Sequence, residues 1–206
     1  MSGGGGPSTK TDAIVIGVVQ ELDDPQKLGR VRVRFPHLAD QISQWARIAT
    51  LMAGADRGSL FRPEPEDEVL VAFLHGDPAQ PYVIGALWNE SDTPPENGGA
   101  AENHLRTLKT RSGHVLRFDD TPGEEKIEVI SSDEKQRITI DVGGQKVSVE
   151  ADQGDVLVKT GTGNVEVDSG GAVTVKAQQS VKIEAPQINV EASGTLTLKG
   201  AMVKIN

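Results

Sequence analysis

With 206 residues, no cysteine and only 3% aromatic residues, the chain has room for one or two domains and excludes a disulfide framework or a thiolate metal site. Its formal net charge of −9 opposes a nucleic-acid partner and an anionic membrane surface, since both need a basic face. No apolar run approaches the roughly 20 residues that span a bilayer, and the start lacks the apolar core of a signal peptide. The expectation is therefore a protein made in the cytoplasm without a signal peptide, which leaves it through another machine.

Residues 1–12 are Gly-rich and polar and read as a flexible N-terminal arm. Residues 13–91 read as a compact all-β domain. Ile14 to Val19 make a first strand, and a turn begins at Asp23-Asp24-Pro25 and ends at Gly29. Arg30 to Phe35 alternate, with Val31, Val33 and Phe35 on one face and Arg30, Arg32 and Arg34 on the other. Trp45 to Ala49 make a third strand. The stretch Met52 to Asp67 carries Gly54, Gly58, Pro63 and Pro65 and reads as a long loop. Val69 to Leu74 and Tyr82 to Leu87 are strands around the turn His75-Gly76-Asp77-Pro78. Five short strands at this spacing predict a small OB-type barrel.

Residues 92–105 read as a linker, since Thr93-Pro94-Pro95-Glu96-Asn97-Gly98-Gly99 offers nothing to pack. Residues 106–130 predict a neck hairpin, with His114 to Phe118 and Lys126 to Ile130 flanking Asp119-Asp120-Thr121-Pro122-Gly123. Pro followed by Gly suits a type II turn there.

Within 131–206 one unit recurs: an apolar residue, an outward residue, then another apolar residue. The apolar pairs are Val147/Val149, Val156/Val158, Val165/Val167, Val173/Val175, Val181/Ile183, Ile188/Val190, Leu196/Leu198 and Val203/Ile205. Between them stand Ser148, Leu157, Glu166, Thr174, Lys182, Asn189, Thr197 and Lys204, all polar or charged except Leu157. The alternation is that of a strand with one dry face, and the step of about eight residues fits a solenoid or rod. The period alone leaves a lone solenoid and a shared prism both open. The narrow two-residue stripe and the irregular spacers favour an intertwined homotrimer, in which each chain supplies one wall and the sixteen apolar positions meet on the axis as its buried core.

Several runs together resemble a known family. Asp67-Glu68-Val69-Leu70-Val71-Ala72-Phe73, then Gly76-Asp77-Pro78, Pro81-Tyr82-Val83-Ile84-Gly85 and Trp88-Asn89, resemble the OB domain of phage baseplate protein V and VgrG-type spikes. Ser112-Gly113-His114 with Phe118 to Ile127 is similar to the segment leading into their β-helix, and Leu198 to Asn206 to the distal end of such spikes. The resemblance implies an all-β chain: an OB-fold barrel followed by a trimeric triple-stranded β-helix. It further implies the central spike of a contractile injection machine, with tail tube, hub and baseplate proteins at the OB end and a membrane only as the puncture target. Phage relatives with a self-made tip bind iron through closely spaced histidines, whereas His37, His75, His104 and His114 are scattered here. The implied end is blunt, with Met202, Val203 and Ile205 as an apolar platform for a PAAR-type tip protein.

No residue set points to catalysis, a metal or another cofactor. His75 with Asp77 has the residue types of a base and its orienter, but reads first as a hairpin turn. Glu64, Glu66, Asp67 and Glu68 lack an EF-hand pattern and read as a solvated loop. Arg30, Arg32 and Arg34 lack the stacking aromatics of a nucleic-acid face and read as a solvated or protein-docking face. Gly161-Thr162-Gly163-Asn164 and Gly170-Gly171 lack the full calcium-binding β-roll repeat and read as turns. The alternative function is an OB-fold binding module for glycan or nucleic acid with a solenoid tail. A cell-wall-degrading enzyme is a weaker rival, because no carboxylate pair stands out.

Overall fold

The computed structural model describes residues 14–96 and 101–205. The expected arm at 1–12, the Asn97-Gly98-Gly99 part of the linker and Asn206 lie outside them. The chain falls into two compact units divided between Val156 and Leu157.

The first unit opens with a curled sheet. Its strands are β1 (Ile14–Glu21), β2 (Arg32–Phe35), β3 (Gln41–Ile42), β4 (Arg47–Ile48), then, after the small hairpin β5 (Ala53–Gly54) and β6 (Arg57–Gly58), β7 (Glu68–Phe73) and β8 (Pro81–Ala86). The sheet order is β3-β2-β1-β7-β8-β4. A bridge between Val31 and Ala46 joins its two ends, with the Val31 N–H donating to the Ala46 carbonyl at 3.0 Å and the Ala46 N–H returning at 2.7 Å. That bridge closes the barrel expected from the strand spacing.

Alternation decides what the barrel encloses. Val15 and Val19 of β1, Val31, Val33 and Phe35 around β2, and Val69, Val71 and Phe73 of β7 are buried, together with Ala46 and Val83. Small β-branched side chains suit so narrow an interior, and Phe35 meets Phe73 edge to face at 5.7 Å. Gly17 lies where a Cβ would run into Val33 and approach the Phe35 ring at 3.0 Å, so β1 can cross the core closely only without a side chain there. A bulge between Val19 and Glu21 marks where β1 bends away from β2.

The turn at Asp24 is tied from several sides. Its carboxylate accepts from the Gln26 N–H at 3.0 Å, the Leu28 N–H at 2.9 Å and the Arg30 guanidinium at 2.7 Å. The Arg30 guanidinium, helped by those N–H groups against the opposing effect of burial, holds the Asp24 carboxyl well below the usual carboxylate range. The Met52 to Asp67 stretch, expected as loop throughout, contains the β5–β6 hairpin. Asp56 adopts a left-handed turn at φ 52°, and Gly58 passes where a Cβ would sit 2.6 Å from the Met52 carbonyl oxygen, so the glycine that reads as a loop former is what allows the pairing.

The rest of the first unit is a five-stranded antiparallel meander, order β13-β12-β11-β10-β9. It comprises β9 (Leu105–Lys109), β10 (Val115–Asp119), β11 (Lys126–Ile130), β12 (Gln136–Asp141) and β13 (Lys146–Ala151). The expected hairpin is its β10–β11 pair, and Gly123 takes φ 82° with the Glu124 N–H donating to the Thr121 carbonyl at 2.9 Å, as a type II Pro-Gly turn requires. The expected boundary at 130/131 lies inside this sheet, because Arg137 to Asp141 pair residue for residue with β11.

The second unit is extended chain. Among the described residues no strand follows Ala151, and no backbone hydrogen bond joins residues beyond Asp152 to one another. Successive units within one chain thus form no ladder, and their exposed amides are left to solvent.

Candidate functional site

Two exposed apolar surfaces carry the interest of this chain. The first is the stripe, whose sixteen positions read from the sequence as a buried axial core; in the single chain they are surface. On β13, Val147 is 69% and Val149 58% exposed. Beyond it the leading members of the pairs, Val156, Val165, Val173, Val181, Ile188, Leu196 and Val203, are 50–60% exposed. The trailing members are more open still: Val158 is 73%, Val167 72%, Val175 73%, Ile183 74%, Val190 65%, Leu198 67% and Ile205 86% exposed. The burial was expected between chains, and one chain by itself does not supply it, for a physical reason. An extended segment without a ladder has no second layer of its own, so neither member of a pair has anything to pack against.

The same ordering, trailing member more open than leading, holds in seven consecutive pairs although the spacers differ. Each unit thus presents its two apolar side chains in the same local setting. Met202, 75% exposed, adds to Val203 and Ile205 at the end of the stripe. These side chains are placed for contact with something other than their own chain.

The meander supplies the second surface, which the sequence reading did not single out. In the sheet register Leu116 lies opposite Val129 and Phe118 opposite Ile127; Ile127 and Val129 lie opposite Ile140 and Ile138, and these opposite Val147 and Val149. Together with Leu108, opposite Leu116, they make one apolar face, most of it 36–69% exposed. The signal was present in the sequence: Leu116-Arg117-Phe118, Ile127-Glu128-Val129 and Ile138-Thr139-Ile140 have the same form as the later units. Their wider spacing hid the continuity.

The opposite face of the meander is mixed and more covered: Val115 and the buried Ile130 lie on it beside a polar row. Thr107, Arg117, Glu128, Thr139 and Ser148 form a row across all five strands. Glu128 is buried. Arg117 bridges Glu96 at 2.7 Å and Glu128 at 3.2 Å, Arg137 stands 3.6 Å from Glu128, and Thr107 donates to Glu96 at 3.1 Å. Glu96 thereby fastens the end of the linker to the sheet. Burial of a charged row is tolerated because each charge finds an opposite partner.

The remaining candidates resolve into structure. Asp77 accepts from the Ala79 N–H and the Gln80 side chain, both at 2.9 Å, which lower its pKa, the Gln80 bond most; it stabilises the turn. Asp67 accepts from the Glu64 N–H at 2.7 Å, Glu64 pairs with Arg111 and Glu66 with Arg34, so these acids do not converge. Arg30, Arg32 and Arg34 are paired with Asp24, Glu21 and Asp40, which removes most of the positive field a nucleic-acid face needs. Among the described residues no group of three or more acids and histidines is arranged to hold a metal ion.

With these surfaces in view, similarity to known proteins becomes informative. Residues 15–88 match the type VI secretion system/phage-baseplate injector OB domain, the stretch that closes here into a barrel. The chain is 35% identical over 128 residues to the type VI secretion system spike protein VgrG3 of Vibrio cholerae, an alignment covering 56% of this chain and 12% of that protein. It is 28% identical over 148 residues to the spike protein VgrG1b of Pseudomonas aeruginosa, covering 66% and 19%. It is 30% identical over 195 residues to the actin cross-linking toxin VgrG1 of Vibrio cholerae, covering 89% and 17%. The chain thus spans less than a fifth of the length of these relatives. Its barrel is an injector OB domain of the type VI secretion system/phage-baseplate family, and the chain is a relative of the VgrG-type spikes.

Proposed function

We propose that the chain is the central spike of a contractile injection machine and works as a non-enzymatic homotrimer. Three chains each contribute one wall of a triple-stranded β-helix, with Val147 to Ile205 on the shared axis. The observation that carries this reading is the regular exposure of the stripe in a segment that, beyond Asp152, has no backbone–backbone hydrogen bonds of its own among the described residues. Three copies supply both needs at once: neighbouring strands for the backbone and an interior for the valines. Burial of one such side chain contributes on the order of 1.5–3 kcal/mol. Repeated over the stripe, that exceeds the marginal stability of an ordinary domain. The first pair of the stripe, Val147 and Val149, lies on the meander's apolar face.

In this reading the barrels form a collar against tube, hub and baseplate proteins. The shaft is driven through the target envelope when the machine contracts. Met202, Val203 and Ile205 seat a PAAR-type tip. One relative is named an actin cross-linking toxin, but the alignment covers 17% of that protein, and the proposal gives this chain no chemistry of its own.

Light scattering on the purified protein tests the assembly. The expected mass is three times the 21.9 kDa of one chain, and a monomer at micromolar concentration refutes the trimer. Deleting Met202 to Asn206 is expected to leave that mass unchanged while abolishing co-purification of the tip protein. A truncated spike that still retains its tip removes the platform from the proposal.

A further inference from the structure

The barrel carries a cleft of about 950 Å³ between β4, β8 and the β5–β6 hairpin. Its wall includes Leu28, Met52, Leu60 and Phe61, each more than half exposed, and its floor includes Tyr82. An exposed cluster of this kind is larger than the scattered apolar side chains normal on a surface.

The charge of the cleft is opposite to that of the chain. Arg30, Arg47, Arg57 and Arg62 line it against a single acid, Asp56, in a protein of net charge −9. Two of the four are committed elsewhere: Arg30 to Asp24 at 2.7 Å, and Arg62 to the Leu22 carbonyl at 2.6 Å. Arg47 and Arg57 make no ion pair or side-chain hydrogen bond among the described residues. The Arg47 guanidinium instead stands 5.7 Å from the Tyr82 ring centroid, which holds it at the cleft while leaving its donors open.

We propose that this cleft docks an acidic peptide segment of a partner protein, one whose apolar side chains enter between Phe61 and Tyr82 while its carboxylates meet Arg47 and Arg57. Aromatic, methionine and arginine side chains are the types enriched at the centres of protein interfaces, and the charge complementarity selects an acidic partner. A nucleic acid fits less well. Its bases need several open aromatic faces, whereas Arg30 and Arg32 stand over Trp45 at 5.9 and 6.0 Å and Arg47 over Tyr82 at 5.7 Å, which leaves Phe61 as the one uncovered ring among the described lining residues.

The test uses the full chain and a blocked decapeptide of alternating glutamate and leucine, followed by fluorescence anisotropy of a dye on the peptide. Binding is expected to weaken as salt rises. Substituting Arg47→Glu with Arg57→Glu is expected to weaken it about tenfold or more; both positions are exposed, so melting should not change. Asp56→Lys is expected to tighten it about threefold, a gain that misfolding does not produce. Equal affinity for the glutamine-leucine peptide, or no response to the arginine substitutions, overturns the proposal. So does a single-stranded oligothymidylate that binds more tightly and is lost with the same two arginines, since the cleft would then belong to nucleic acid.

Discussion

Val173→Asp is expected to abolish the trimer. In the proposed shaft position 173 of all three chains meets on the axis, so the substitution removes three apolar side chains and puts three carboxylates in their place. Each buried, unpaired charge costs several kcal/mol, and the three repel one another. Loss of the apolar contacts adds roughly 1.5 kcal/mol or more per chain. Ile183→Asp is expected to act in the same way. Thr174→Asp places the same charge one residue on, at an outward position, and should leave assembly intact. Light scattering with thermal melting reads the comparison; a Val173→Asp protein of unchanged mass and melting temperature removes the stripe from the axis.

Glu128→Ala should produce the next largest effect, through the meander rather than the shaft. The substitution leaves Arg117 with only Glu96 at 2.7 Å and strips Arg137 of its partner at 3.6 Å, both on the covered face. Breaking a buried pair by removing one member typically costs about 3 kcal/mol or more. Replacing both Arg117 and Glu128 with apolar residues of similar size should recover part of that loss, because the Arg117 charge leaves together with its partner, while Glu96 and Arg137, which lose theirs, are partly open to solvent. Urea unfolding of the single and double variants distinguishes the two outcomes. If the single variant unfolds with the native protein, the row is not holding the sheet.

Much of the barrel was legible because its physics is local. Val31, Val33 and Phe35 alternate with arginines, and the structure buries the first set and leaves the second half-exposed. The Pro122-Gly123 turn was equally readable, since the φ it needs follows from the residue types. What escaped depends on partners distant in sequence. β4 is only Arg47–Ile48, held in parallel to Tyr82 and Val83, and nothing within the strand announces that pairing. The stripe was legible as a pattern and read as a core shared between chains; one chain alone leaves Val158, Val167, Val175 and Val190 open. Alternation marks which side is apolar, and burial needs a second body. The meander escaped for another reason: its covered face mixes Ile130 with the paired charges of Arg117 and Glu128, so alternation of apolar and polar residues did not mark the hidden side. The four arginines of the cleft lie between positions 30 and 62, and only barrel closure brings them to one wall.

The meander connects only neighbouring strands, each to the next along the chain. Such nearest-neighbour pairing closes short loops and forms quickly within a single polypeptide. The extended segment beyond Asp152 has no backbone ladder of its own to form in isolation. A clock is therefore built into the proposed trimer: barrel and meander fold first and alone, three finished heads then meet through their apolar faces in matched register, and the shaft winds shut from Val147 toward Ile205. Assembly would slow upon dilution while folding of the heads would not, and the segment around Ile205 would be the last to become rigid.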